Sequence, residues 1–366
     1  MKIKFLLVFF TFFCIFLDLS AARELIWASV IFRHGARTPL TELPACLHFW
    51  TSGLGELTEK GMNSEFKSGT ELRKRYVNKY KLLPEHFDTN LIYVRSSDFN
   101  RTLQSAASLL RGLYPPKIGP SIGKDESALP YSFQSRLIHT EKSNSDTLIK
   151  VKGCFKQKLK DLFEKIIYSG NKWIEKENSV RPRFKKWELA SGLKISKLQD
   201  VKHLGNNLRI RKENNVPLPE GISKADAQEL ISLSSWINVE RFKPKQIGVL
   251  LASNLLDHIA DTMNMFLEGK SKIRCLIYSA HAANLLSVMS ALEVPLGKTP
   301  HCASRIQFEL YKDDKQHTLE ISYNGKIIEL PLSSNGDSCS VKDFTDYIKN
   351  LQIEEKKIQG SGKYAK

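Results

Sequence analysis

Three stretches of the chain, residues 25–32, 90–94 and 273–279, are almost unbroken in apolar side chains. They are too short for core helices and rich in β-branched and aromatic residues. Continuous rather than alternating apolarity marks strands covered on both faces, as in a parallel sheet. Residues 305–311, 318–323 and 326–330 also read as strands. Asn324-Gly325 lies between the last two and is a strong hairpin signal, so the C-terminal part adds antiparallel strands. Apolar positions recurring at three- and four-residue spacing predict helices over 58–80, 97–114, 145–168, 224–241, 248–267, 281–292 and 341–351. Ser340 to Asp343 has the pattern of a helix N-cap.

These elements predict an α/β fold: a mainly parallel, mixed sheet flanked by helices, with a mostly helical cap domain inserted into it. The core comprises residues 23–115 and 245–352. The insertion, 116–244, contains helices and loops and no convincing buried strand, and Pro115-Pro116 and Pro244 punctuate its ends. The charged, Gly- and Ser-containing tail, 353–366, reads as disordered.

Residues 1–22 stand apart. Lys2 and Lys4 precede a thirteen-residue apolar run from Phe5 to Leu17, and Ser20-Ala21-Ala22 offers a cleavage site. This is the pattern of a secretory signal peptide, and the run is short for a membrane anchor. The expectation is a chain in an oxidising compartment with no stable membrane anchor. The formal charge of +16 falls by one when Lys2, Lys4 and Asp18 are removed. The excess is spread rather than gathered into arms, and no nucleic-acid-binding motif is present. A basic surface suits anionic substrates. Of the six cysteines, Cys14 lies in the leader; Cys46, Cys154, Cys275, Cys302 and Cys339 remain, an odd number. Cys275 opens an apolar strand and reads as a buried free thiol. No Cys-x-x-Cys and no metal-like clustering of His and Cys appear, so no metal and no cofactor are expected.

The chemistry gathers where the three apolar strands end. The first runs into Arg33-His34-Gly35-Ala36-Arg37-Thr38-Pro39, the second into Arg95-Ser96-Ser97, the third into His281. Ligands of open α/β sheets bind outside the carboxyl ends of the strands. Arg33, His34, Arg37, Arg95 and His281 would share one edge. Three guanidinium groups repel one another unless an anion lies between them, and their forks match phosphate oxygens. Gly35 would let the backbone turn tightly, and helix N-termini beyond Ser97 and His281 would add positive potential. The site reads as built for a phosphoryl group.

The seven residues Arg33 to Pro39 resemble the RHGxRxP signature of the histidine acid phosphatases, the secreted and lysosomal branch of the histidine phosphatase superfamily. Residues 55–80 and 94–116, with NVPLPEGIS and YSAHAANLLSVMSALEV further on, resemble later blocks of that family. The resemblance implies a phosphomonoester substrate, a nucleophilic His34 that becomes phosphohistidine, phosphoryl oxygens held by Arg33, Arg37 and Arg95, and a further donor in His281. It implies a disulfide between Cys154 and Cys339, with Cys46 and Cys302 as further partners, and suggests a homodimer and an acidic optimum, which no residue pattern fixes. The sequon Asn100-Arg101-Thr102 falls at a helix start behind Arg95, where a glycan would be crowded. The destination implied is secretion or the lysosome.

One position departs from the pattern. The family places an Asp after this histidine to protonate the leaving alcohol, or a Glu one residue later. Here Ala282 and Ala283 occupy those places, and Asn284 cannot give up a proton at useful pH. Two readings follow: a secreted acid phosphatase attenuated by the lost donor, or a catalytically deficient pseudophosphatase that binds phosphorylated ligands. The Arg-His-Gly start is shared with phosphoglycerate-mutase-like enzymes, but the leader and the large insertion argue against that reading.

Overall fold

The computed structural model describes residues 23–116, 122, 126–132, 134–150, 155–313, 316–332 and 336–360. The proposed leader and Cys154 lie outside them. In chain order the core opens with β1 (Glu24–Arg33), α1 (Glu59–Leu72, continued by a π-helical segment, Arg73–Lys79), β2 (Ile92–Ser96) and α2 (Asn100–Leu113). Between α2 and the return to the sheet the chain forms α3 (Lys156–Leu162), α4 (Asn171–Val180), α5 (Phe184–Ser191), α6 (Val201–Glu213) and α7 (Lys224–Phe242). The chain then forms α8 (Lys245–Leu267), β3 (Cys275–Ala280), α9 (Ala282–Ala291), β4 (Arg305–Lys312), β5 (His317–Tyr323), β6 (Lys326–Ile327), β7 (Cys339–Ser340) and α10 (Val341–Gly360).

The sheet order is β2-β3-β1-β4-β5-β6, with β7 paired to β5. β3 runs parallel to both β1 and β2, and β4 is antiparallel to β1. The three expected buried strands are therefore neighbours, and their carboxyl ends coincide: Arg33 pairs with Ala280, and Ser96 with Ser279. Alternate residues of β1 feed two cores. Trp27 and Ile31 pack among α8, α9 and α10. Ala28, Val30 and Phe32 pack under α1 and α2. This two-sided burial is what the unbroken apolar runs encode.

A third apolar cluster belongs to the inserted helices and continues onto Leu250 and Leu251 of α8 and Leu286 of α9. The structure departs from the expected elements in two respects here. Helix α3 starts at Lys156 rather than near 145, because Asp146 is fully buried and its carboxylate accepts the amides of Leu148 and Ile149 in a turn. Helices α4, α5 and α6 were not foreseen. The tail also differs from expectation. Residues 353–360 continue α10, with Glu355 buried and Ile358 packed against two cores, and residues 361–366 lie outside the described part.

Candidate active site

The loop after β1 is held from three sides. The amide of His34 donates to the Ala280 carbonyl of β3 at 3.0 Å, and that of Gly35 to Ser105 Oγ of α2 at 3.1 Å. Thr58 caps α1, accepting from the Gly61 amide at 3.2 Å, while its own hydroxyl donates to the Ala36 carbonyl at 3.1 Å. Gly35 serves close approach rather than a left-handed turn: a Cβ there would lie 2.5 Å from the Gly61 carbonyl oxygen. Reciprocally, a Cβ on Gly61 would lie 2.1 Å from the Ala36 oxygen. The start of α1 is thus pressed directly onto the loop.

This packing buries His34 to 4 % exposure. Its Nδ1 is 2.8 Å from the Gly35 carbonyl. A carbonyl only accepts, so Nδ1 carries the hydrogen and Nε2 the lone pair. Burial, then Arg33, His281 and Arg37, hold the imidazole pKa well below its usual 6.5. These surroundings favour the neutral ring. His281 stands edge-on to it, ring centres 5.5 Å apart, with Nε2 2.9 Å from Ser97 Oγ.

Beside this pair, Arg33 and Arg37 have no ion-pair partner among the described residues. Arg33 and Arg37 are buried; each guanidinium donates to a carbonyl, Pro300 and Thr38 respectively, and each Nε lacks a partner among the described residues. Burial, reinforced by Arg33, Arg101 and Arg209, lowers the Arg37 pKa to about 9. Glu65 of α1 is fully buried with neither oxygen partnered among the described residues, and burial raises its pKa well above the usual carboxylate value. Such a field calls for a bound anion.

Arg95 is not part of this cluster. Its Nη2 contacts Asp146 at 2.8 Å and Glu141 at 2.9 Å, and it does not line the cavity. The segment around His139 pairs with β2 at this point and carries Glu141 and Asp146 over the arginine, so its charge is spent structurally. Arg101, in the first turn of α2, takes the third place instead. It lines the cavity beside Arg33, His34, Arg37 and His281, its guanidinium 4.4 Å from the centre of the Phe99 ring. Burial lowers its pKa. In the sequence Arg101 follows the second strand closely, inside Asn100-Arg101-Thr102, where the sequon pattern masks it.

Ala282 and Ala283, where a proton donor was expected, do line the cavity. Asn284 is fully committed: Oδ1 accepts the His281 amide at 3.1 Å, and Nδ2 donates to the Ile149 carbonyl at 2.7 Å. The cysteine expectations fare differently. Cys154 lies outside the described residues. Cys46 and Cys302 are free thiols: Cys46 is held against Arg211 of α6 at 3.3 Å, whereas Cys302 lines the cavity, so that pair does not form. Cys275 is a buried free thiol, as expected.

Residues 24–187 match the family model described as histidine phosphatase superfamily, branch 2. Over that stretch the chain is similar to that superfamily. It is 29 % identical to a lysosomal acid phosphatase of Xenopus laevis over 352 residues, covering 92 % of this chain and 79 % of the relative. It is 26 % identical to a prostatic acid phosphatase of Rattus norvegicus, covering 91 % and 88 %. In fold it is similar to the phytase of Klebsiella sp. ASR1, with a TM-score of 0.65, 17 % identity and coverage of 90 % and 96 %. A phytase of Hafnia alvei in complex with myo-inositol hexakis sulphate gives 0.64, 15 % identity and coverage of 90 % and 98 %. At these identities the solved structures speak to architecture alone.

Proposed function

We propose that this chain hydrolyses phosphomonoesters through a phosphohistidine on His34, and that it is slow on alkyl esters because Ala282 replaces the proton donor. One observation carries the reading: a buried imidazole with its pKa held low, Nδ1 tied to the Gly35 carbonyl and the Nε2 lone pair left for attack, beside Arg33 and Arg37, which have no ion-pair partner among the described residues. The acid phosphatase relatives support it.

In the first step Nε2 attacks phosphorus and the ester P–O bond breaks, placing the electron pair on the leaving oxygen. Arg33, Arg37 and Arg101 stabilise charge on the equatorial oxygens as it spreads. An aryl oxide departs unaided, whereas an alkoxide needs a proton that neither Ala282 nor Asn284 supplies. Water then attacks the phosphohistidine, inorganic phosphate leaves, and the imidazole lone pair is restored. The leader-like residues 1–22 and the lysosomal relatives favour action in the secretory pathway or lysosome. Among the described residues no helix is long and apolar enough to cross a membrane.

The rival reading, a binding protein without turnover, draws on the same alanine. Mixing the purified chain with labelled 4-nitrophenyl phosphate and quenching in alkali separates the two. The expected result is a burst of nitrophenolate with label on His34, both lost in His34→Ala. Tight phosphate binding with neither burst nor label would establish the binding protein instead.

A further inference from the structure

A smaller cavity of about 70 Å³ lies against the first turn of α9. It shares His281 and Ala283 with the cavity at His34, so it adjoins the place where a proton donor was expected. A water takes up about 30 Å³ in the liquid, so the space suits about two waters or one molecule of about three or four heavy atoms.

Its walls are of two kinds. Ile149, Leu251 of α8 and Ala283 are apolar. Against them stand two polar groups. Ser287, one helical turn beyond Ala283 on the same face of α9, is 1 % exposed, and its hydroxyl has no partner among the described residues. Lys150 is half-buried and makes no ion pair among the described residues. Its Nζ rests 4.4 Å from the centre of the Phe99 ring, and that ring stands edge-on to His281, centres 5.5 Å apart. Asn284 fixes this segment: Nδ2 donates to the Ile149 carbonyl at 2.7 Å, tying the residue before Lys150 to the helix that carries Ser287. Burial and the charge of Arg101 lower the Lys150 pKa. Asp146, the carboxylate acting on it, is engaged through Oδ1 with Arg95 and the amides of Leu148 and Ile149. An ammonium and a hydroxyl lining one small space are donors for a carboxylate. A phosphoryl group there would leave oxygens unpaired against Ile149 and Leu251, whereas a short carboxylic acid sets its hydrocarbon end against them.

We propose that this side cavity binds a short carboxylic acid of formic or acetic size, its carboxyl group between Lys150 Nζ and Ser287 Oγ, and that the bound acid gives the leaving alcohol the proton that Ala282 cannot. The inference rests on the phosphatase reading of His34 and names a small-molecule co-catalyst for it. As Nε2 of His34 attacks, the ester P–O bond breaks and its electron pair goes to the leaving oxygen, which takes the O–H proton of the acid. The carboxylate left behind keeps its two donors and regains a proton from water.

Acetate is the probe. Binding is read on the His34→Ala protein by NMR relaxation of isotopically labelled acetate, with inorganic phosphate in excess to occupy the arginines of the main cavity. Acetate is expected to stay bound under phosphate. Lys150→Met is expected to weaken it at least about tenfold, the size of one charge-assisted contact, and Ser287→Ala to weaken it in the same direction. Should Lys150→Met fail to fold, Ser287→Ala, which removes a single hydroxyl, decides the matter. On the native chain at about pH 4–5, where a carboxylic acid is partly protonated, saturating acetate is expected to raise kcat/KM for glycerol phosphate at least about fivefold, a small part of what a fixed general acid supplies. Turnover of 4-nitrophenyl phosphate should not change, and chloride at equal ionic strength should stimulate neither ester. Complete displacement of acetate by phosphate overturns the proposal, as does stimulation that is absent, equal for both esters, or matched by chloride. A native chain that gives neither burst nor label with 4-nitrophenyl phosphate would instead strike the phosphatase reading. Acetate binding to the His34→Ala protein answers for the site in either case.

Discussion

Replacing Ala282 by Asp asks the most direct question of the proposed chemistry. Ala282 is the first residue of α9, beside His281, and it lines the cavity. A carboxyl group placed there is the donor that the leaving alcohol lacks. A positioned general acid is worth about 10²–10⁴-fold in rate, or about 3–5 kcal/mol of barrier. Two features of the site push the gain to the lower end. The N-terminus of α9 favours the ionised carboxylate by about 0.3–1 kcal/mol, and the nearby arginines act in the same direction. An Asp with an ordinary pKa near 3.9 would thus be mostly ionised by about pH 5. The expected gain for an alkyl phosphate such as glycerol phosphate is about 10²-fold near pH 4–5, shrinking about tenfold per pH unit above that. For 4-nitrophenyl phosphate, whose leaving group needs no proton, the change should stay within about threefold. Measuring kcat/KM for both esters between about pH 4 and 7, on native and variant protein, gives the answer. An alkyl-to-aryl ratio unmoved by the substitution would refute the argument, since another group would then be delivering the proton or chemistry would not limit turnover.

The two arginines after the second strand should separate cleanly. Arg101→Ala is expected to lower kcat/KM for 4-nitrophenyl phosphate by about 10²–10³-fold with little change in thermal stability. Arg95→Leu strands the buried Asp146 and should cost about 3–5 kcal/mol in a denaturant titration, while the KM of the folded protein holds. Gly61→Ala forces a methyl into the backbone of the loop bearing His34; a loss of about 1–3 kcal/mol and of most activity is expected, read by melting and by steady-state kinetics. Because the folded pKa of His34 lies below 6.5, the neutral nucleophile should persist in acid, with the acidic limb of kcat/KM below 6.5. The unfolded chain binds this proton first, so the corresponding part of folding stability is present above 6.5 and lost as pH falls beneath it. An acidic limb at or above that value would show that His34 is not held neutral by its surroundings.

What the sequence made legible, and what it hid, follows from how each signal is written. Strands buried on both faces announce themselves in β1 and β3, and Asn324-Gly325 placed the later hairpin correctly. Helices α4 and α6 do not announce themselves. Only Trp173 and Val180 are buried in α4, and the buried face of α6 includes Gly205, Asn207 and Arg211, so the apolar period is broken. Arg211 explains the polar face: it is 1 % exposed in its side chain and donates to Asn207, the Pro217 carbonyl and Cys46. The wrong assignment of Arg95 has a different origin. A residue at a strand tip faces one side of the sheet or the other, and an isolated strand does not say which side the later chain will cover. The segment carrying Glu141 and Asp146 arrives on the Arg95 side and neutralises it. Counter-charge is therefore the criterion that sorts the basic residues of this chain. Arg75, paired with Glu309, and Arg95, paired with Asp146, are parts of the framework. Arg33, Arg37, Arg101 and Lys202 meet the cavity without a carboxylate hydrogen-bonded to them among the described residues, and burial raises the pKa of Glu65 well above the usual carboxylate value. Among the described residues the fold supplies no ion-pair partner there, and that leaves the anion to be supplied by whatever enters.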